Sequence, residues 1–263
     1  MRTLTKPGTM LVAAHRGDSY NHFENTMDAF RAAVETGADM IETDVRMTKD
    51  GILVLIHDET VDRTTNGSGP VSEMTYEELR QLNAGGIYKP AQIPTLEELL
   101  QYLSELPVLL NLEIKEYADE GNLDRCHRCI DQCVSLVEKY HVADSMVFNS
   151  FDAHVLEYIN ENWPGRYLLH GFYPYERMFH VRQDPDSYLY CACVYGDRNS
   201  AHYAYLKQHG IEPWIGAGAT RQAHLQECFD LGARLVTTNF PADCILKLER
   251  IKARNEQREG TCV

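Results

Sequence analysis

The fold is decided in the stretch from Met40 to Thr64, M-I-E-T-D-V-R-M-T-K-D-G-I-L-V-L-I-H-D-E-T-V-D-R-T. Ile41, Thr43 and Val45 are β-branched, so the stretch opens as a strand. Residues two apart on a strand share a face, which puts Glu42 and Asp44 on one side. Two neighbouring carboxylates on a buried strand repel each other and resist desolvation. A divalent cation relieves both effects, so the pair reads as metal ligands; an exposed acidic pair on a surface hairpin is the alternative. K-D-G supplies the positive-φ position of a tight turn. I-L-V-L-I then returns antiparallel and brings His57 and Asp58 back beside the carboxylates.

Working outward, a chain of 263 residues with 44% hydrophobic content has material for one large α/β barrel or two small domains. No apolar window is long enough for a membrane span. The start, M-R-T-L-T-K-P-G, lacks a signal-type apolar region, so a cytoplasmic protein is expected. A net charge of −14 disfavours nucleic acid and anionic membranes as partners. An anionic small molecule would need a local positive patch or a metal. Of the eight cysteines, Cys126, Cys129 and Cys133 fall on one helix face, and Cys191 and Cys193 alternate in a strand. They read as small buried hydrophobes rather than zinc ligands, with no second Cys/His pair expected at ligand spacing. Cys262 is misplaced for a prenylation box.

The remaining chain repeats one pattern. Met10–Ala14 is a strand ending in H-R-G, followed by a helix capped at Asn25 or Thr26, with Met27, Phe30 and Val34 on its apolar face, and closed at Gly37. Residues 66–94, rich in Gly, Pro and polar residues, read as an insertion over the site, part of an irregular stretch of about 58–94. Capping boxes open helices at Thr75 and Thr95. Strands are expected at 108–114, 145–149, 166–171, 188–194, 211–216 and 234–238. Helices are expected at 122–140, from Asp152 to before Pro164, around 173–186, at 201–209, at 220–231 and from Pro241. Eight strands alternating with helices over this length predict a single (β/α)8 barrel spanning 1–263, with an open doubly wound sheet as the alternative.

Barrel sites form at the C-terminal ends of strands. His15 and Arg16 follow the first strand, Glu42 and Asp44 end the second, and Glu113 and Lys115 end the third. Three carboxylates make an all-oxygen set suited to Mg²⁺, Ca²⁺ or Mn²⁺. Arg16 and Lys115 supply the donors that a phosphate needs. His15 and His57 can exchange protons near neutral pH. Phosphoryl chemistry is the function that these groups suggest together.

The blocks H-R-G, F-E-N-T, G-A-D-M-I-E-T-D-V-R-M-T-K-D-G, L-I-H-D, R-T, I-P-T-L-E-E and N-L-E-I-K, in order from Ala14 to Lys115, resemble the glycerophosphodiester phosphodiesterase family. That resemblance implies a TIM barrel with a divalent cation held by Glu42, Asp44 and Glu113. It implies His15 and His57 as the acid/base pair, and Arg16 and Lys115 as phosphate contacts. The implied reaction splits a glycerophosphodiester into glycerol 3-phosphate and an alcohol. Three places depart from the family pattern: Phe23 stands where proline is usual, W-I-G-A from Trp214 replaces W-T-V-N, and Asn239 in T-N-F-P replaces an aspartate. The loop 216–221 reads as a tight turn, or as backbone amides receiving a head group. A barrel cleaving a choline phospholipid is the nearest rival; it needs an apolar rim, and few large exposed hydrophobes are expected in the insertion. A non-catalytic barrel binding a phosphorylated polyol would lack a histidine or a carboxylate, and none is missing.

Overall fold

The apolar runs of the chain become strands β1 (Leu11–His15), β2 (Met40–Met47), β3 (Leu53–Leu55), β4 (Leu109–Ile114), β5 (Met146–Asn149), β6 (Leu168–Tyr173), β7 (Cys191–Val194), β8 (Glu212–Ile215) and β9 (Leu235–Thr238). The amphipathic segments between them become helices α1 (Met27–Glu35), α2 (Tyr76–Arg80), α3 (Leu96–Leu103), α4 (Leu123–Lys139), α5 (Ala153–Asn162), α6 (Ser200–Gln208), α7 (Gln222–Leu231) and α8 (Pro241–Gly260). The structure is a computed structural model that describes residues 4–6, 8–119 and 121–260. The amino-terminal Met1 and the near-terminal Cys262 lie outside the described residues.

Eight of the strands are parallel, and pairing of β1 with both β9 and β2 closes them into a TIM barrel. The open doubly wound sheet is thereby excluded. The extra strand, β3, is the return arm of the K-D-G hairpin and pairs antiparallel with the end of β2, Val45 opposite Leu55. Gly51 takes the left-handed conformation in that turn, φ 88°.

Two apolar layers hold the barrel together. Outside the strands, Phe30, Leu99, Leu100, Cys129, Cys133, Phe148 and Leu156 belong to the core shared by sheet and helices. Inside, Ala13, Met40, Val147, Cys191, Trp214 and Leu235 form one buried cluster. The side-chain period of two then carries the inward face upward from Met40 to Glu42 and Asp44, from Ala13 to His15, and from Val147 to Asn149. A polar layer therefore sits on an apolar plug. Its register runs from Asp44 to Glu113, to Asn149 and to His170 on four neighbouring strands.

Both predicted capping boxes are formed, Thr75 with Glu78 and Thr95 with Glu98. The segment between β3 and α3 contains only α2 and a 3₁₀ turn at Val71–Glu73, and it buries a small cluster of its own, including Val61, Val71, Leu79 and Ile93. One expectation fails, further along the chain. Around 173–186 there is no α-helix, only 3₁₀ turns at Tyr175–Arg177 and Pro185–Ser187. The backbone of Phe179 instead exchanges hydrogen bonds with Phe151 and Ala153, and those groups are lost to helix formation. The insertion exposes few large hydrophobes, as expected: Ile87 (91%) and Tyr88 (98%), both at its tip. Among the described residues, no helix is long and apolar enough to cross a membrane.

Candidate active site

Glu42, Asp44 and Glu113 converge at the C-terminal end of the barrel, each under 10% exposed. One oxygen from each lies within 4.8 Å of the others. Burial, and then repulsion from Asp44 and Glu113, drives the Glu42 carboxyl well above the usual carboxylate range. Burial also raises Glu113, against the pull of Lys115. Asp44 goes the other way: burial opposes its ionisation, but Lys115, His57 and Arg16 together outweigh that cost. Lys115 Nζ donates to Glu113 Oε1 at 2.5 Å and lies 3.3 Å from Asp44 Oδ1. Asp44 Oδ1 is buried with no hydrogen bond. An all-oxygen set with a carboxylate oxygen that no hydrogen bond satisfies and a carboxyl forced toward its neutral form fits a hard divalent cation.

The H-R-G turn aims the cationic side of the site. Arg16 is left-handed, φ 57°, and its backbone N–H donates to Glu42 Oε2 at 3.0 Å. Gly17 is left-handed too, and a Cβ there would lie 2.6 Å from the backbone of Ala29, so only glycine lets α1 approach. The Arg16 guanidinium reaches Glu24 at 2.8 Å and stands 3.4 Å from Asp44. Arg63, the arginine of R-T, grips Glu24 with two nitrogens, at 2.9 and 2.7 Å.

Both histidines are held by Nδ1. His15 Nδ1 donates to Asn239 Oδ1 at 2.6 Å, leaving Nε2 at 3.9 Å from Glu42. His57 Nδ1 donates to Asp58 Oδ1 at 2.7 Å, and Asp58 is shared with Arg63 at 2.6 Å. Each ring therefore turns its other nitrogen away from its anchor, in the tautomer fixed by the Nδ1 bond. Burial lowers the basicity of both rings, helped by Arg16 at His15 and by Lys115 at His57.

All seven residues singled out in the sequence stand at this end of the barrel, on or just after β1, β2, β3 and β4. Four supporting residues escaped the sequence reading. Asn25 is not the helix cap: Thr26 is the N-cap of α1, whereas Asn25 donates to Asp44 Oδ2 at 3.0 Å and accepts from Thr43 at 2.8 Å. Glu24 bridges the two arginines. Arg46 donates to the backbone oxygens of His57 and Lys115, at 2.9 and 3.2 Å, and so fixes the ends of β3 and β4. Asn239, a departure from the family pattern in the sequence, anchors His15. The F-E-N-T block was the one signal for Glu24 and Asn25; nothing local marked Arg46.

A further correction concerns cysteine. Cys126, Cys129 and Cys133 are buried as expected, but a Cys/His pair does sit at ligand spacing, His224 and Cys228, four apart on α7.

The sequence matches the glycerophosphoryl diester phosphodiesterase family over residues 15–212. A glycerophosphodiester phosphodiesterase of Caldanaerobacter subterraneus subsp. tengcongensis is 40% identical over 158 residues, which cover 59% of this chain and 63% of that one, short of two thirds of its length. The crystal structure of glycerophosphodiester phosphodiesterase from Agrobacterium tumefaciens superposes with a TM-score of 0.73 at 25% identity, covering 89% of this chain and 98% of the other. An Oleispira antarctica phosphodiesterase, solved with the product sn-glycerol-3-phosphate, superposes at 0.78 with 24% identity, over 92% of this chain and 97% of the other.

Proposed function

We propose, from the premise that the chain belongs to the glycerophosphoryl diester phosphodiesterase family, that it is a cation-dependent hydrolase splitting glycerophosphodiesters into glycerol 3-phosphate and an alcohol. The observation that carries this reading is the meeting of a buried three-carboxylate cluster, two flanking cations and two anchored histidines at one barrel mouth. Glu42, Asp44 and Glu113 would hold Mg²⁺, Ca²⁺ or Mn²⁺, which supplies positive charge against a phosphoryl oxygen. Arg16 and Lys115 bind the phosphate, and their charge offsets what develops in the transition state.

The histidines differ in their anchors, and this divides their work. Asp58 is a carboxylate and favours the imidazolium of His57, which suits it to protonate the departing alcohol. Asn239 is neutral and leaves His15 with an unprotonated Nε2, which suits it to take a proton from the attacking hydroxyl. The same base serves whether that hydroxyl belongs to water or to the substrate's own glycerol.

The test is release of glycerol 3-phosphate from a panel of glycerophosphodiesters, with and without a chelator. Full activity in excess chelator removes the cation from this reading; no release from any member removes the substrate class. On a substrate whose alcohol needs no protonation, His57→Ala should recover most of its rate and His15→Ala should not. Equal loss in both would overturn the division of labour.

One observation favours a second reading, in which the diester also bears an acyl chain. A cleft of about 460 Å³ runs from Glu24 and Arg63 to Phe23 and Ile87, and Phe23 and Ile87 are exposed. A lysophospholipid turned over faster than its deacylated counterpart, with that advantage lost in Ile87→Ser, would select it. Equal or slower turnover would reject it.

A further inference from the structure

The loop after β7 and the first turns of α7 assemble a second set of donors, none of them used by the chemistry above. His224 and Cys228 are one helical turn apart and share a face of α7. Asp197 approaches them from the loop between β7 and α6. The carboxylate oxygen, the imidazole nitrogen and the sulfur all lie within 4.8 Å of one another. An Asp–His ion pair over a buried thiol would account for part of this arrangement, but not for its directions. His224 Nε2 is 2.9 Å from Asp197 Oδ2, yet Nε2 is a buried atom without a hydrogen bond. The backbone of the loop is held beside them, because the Asp197 carbonyl accepts from the Tyr203 hydroxyl at 2.7 Å and from the Cys228 thiol at 3.3 Å. The nearby cation Arg198 is engaged by Glu227 at 3.2 Å.

We propose that Asp197, His224 and Cys228 bind one thiophilic divalent cation, with zinc the natural fit and water in the fourth position. One sulfur, one nitrogen and one oxygen suit that metal, in contrast to the all-oxygen cluster in the barrel. A tetrahedral zinc ion would place such ligand atoms roughly 3.4–3.6 Å apart, so the three donors need only small rotations. Binding converts the Cys228 thiol to a thiolate, and the proton passes to solvent. The bound ion would tie the β7 loop to α7. That loop carries Tyr195, whose ring lies against Arg177 at 4.6 Å. The proposal stands independently of the hydrolase reading.

The test uses the whole protein, stripped of metal and titrated with Co²⁺ or Cd²⁺, whose thiolate complexes show a charge-transfer absorption. One equivalent should produce that band in the wild type and equally in Glu113→Gln, where the barrel carboxylates are disabled. Excess Zn²⁺ should bleach it. Cys228→Ser should abolish it. His224→Gln keeps the thiol and removes one ligand; since losing an outer-shell partner alone costs 10–100-fold in affinity, its binding should weaken by at least about 100-fold. If Cys228→Ser does not fold, His224→Gln and Asp197→Asn decide the matter alone. No band in the wild type, an undiminished band in Cys228→Ser, or unchanged affinity in His224→Gln overturns the site.

Discussion

His15 Nδ1 donates to Asn239 Oδ1 at 2.6 Å, joining the last residue of the first strand to the residue that follows the last strand. The contact crosses the seam where the barrel closes. It also sets the character of the site, because the other histidine, His57, is anchored by a carboxylate rather than an amide.

Replacing Asn239 by Asp should place a negative charge against the His15 ring and raise its basicity by about one pH unit or more. A base works in its neutral form, so the rising limb of kcat/KM against pH should move to higher pH by that amount. Asn239→Ala should lose the tautomer lock and lower kcat without moving the limb upward. A pH profile of both variants checks this, and identical limbs in Asn239→Asp and wild type would count against the anchor.

Asp58→Asn is the mirror experiment. Without the carboxylate the imidazolium of His57 is less favoured, so the falling limb of the profile should shift to lower pH. Asp58 itself is held well below the usual carboxylate range by Arg63 and then His57, so it stays charged across any working pH. Arg63→Ala should therefore weaken the orientation of Asp58 while leaving its charge, and the shift should be smaller than in Asp58→Asn.

Glu113→Gln should remove one of the three carboxylates proposed to hold the cation while keeping nearly the same volume. Calorimetric titration with Mg²⁺, Ca²⁺ and Mn²⁺ should show affinity falling by at least about 100-fold, more than outer-shell changes cost. Lys115 loses its 2.5 Å partner in the same variant, so turnover at saturating metal should stay depressed. Unchanged affinity for all three ions would mean that Glu113 is not a ligand.

His170 lies in the polar layer, fully buried, and burial drops its pKa to about 3. In the unfolded chain it titrates near 6.5. Below that value the unfolded state binds a proton that the folded state refuses, so stability is complete above about pH 6.5 and declines as pH falls toward 3. The slope approaches about 1.4 kcal/mol per pH unit at pH 5. Urea unfolding at pH 7 and pH 5 should show a smaller drop in His170→Asn than in the wild type; equal drops would locate the acid sensitivity elsewhere.

Much of this was legible because it is periodic or local. Glu42 and Asp44 share a face by the period of a strand, K-D-G closes a turn by the conformational freedom of one glycine, and Thr95 with Glu98 starts a helix through bonds three residues long. The helix expected around 173–186 failed for the opposite reason. The backbone N–H and C=O of Phe179, in the middle of it, are taken by Phe151 and Ala153, residues more than 20 positions away that no window on the segment contains.

The sequence by itself determined the alternation of eight strands with helices, the inward face of each strand and the kinds of charge that the mouth would carry. These follow from side-chain period, from turn chemistry and from the cost of burying like charges. Only the tertiary structure decided which distant side chains meet: Asn25 under Asp44, Arg46 across the ends of two strands, Asn239 behind His15, and Asp197 against His224. Each of those contacts joins residues between 11 and 224 positions apart. A hydrogen bond acts over about 3 Å of space and is indifferent to distance along the chain, so its partner becomes known only when barrel closure has brought the two ends together.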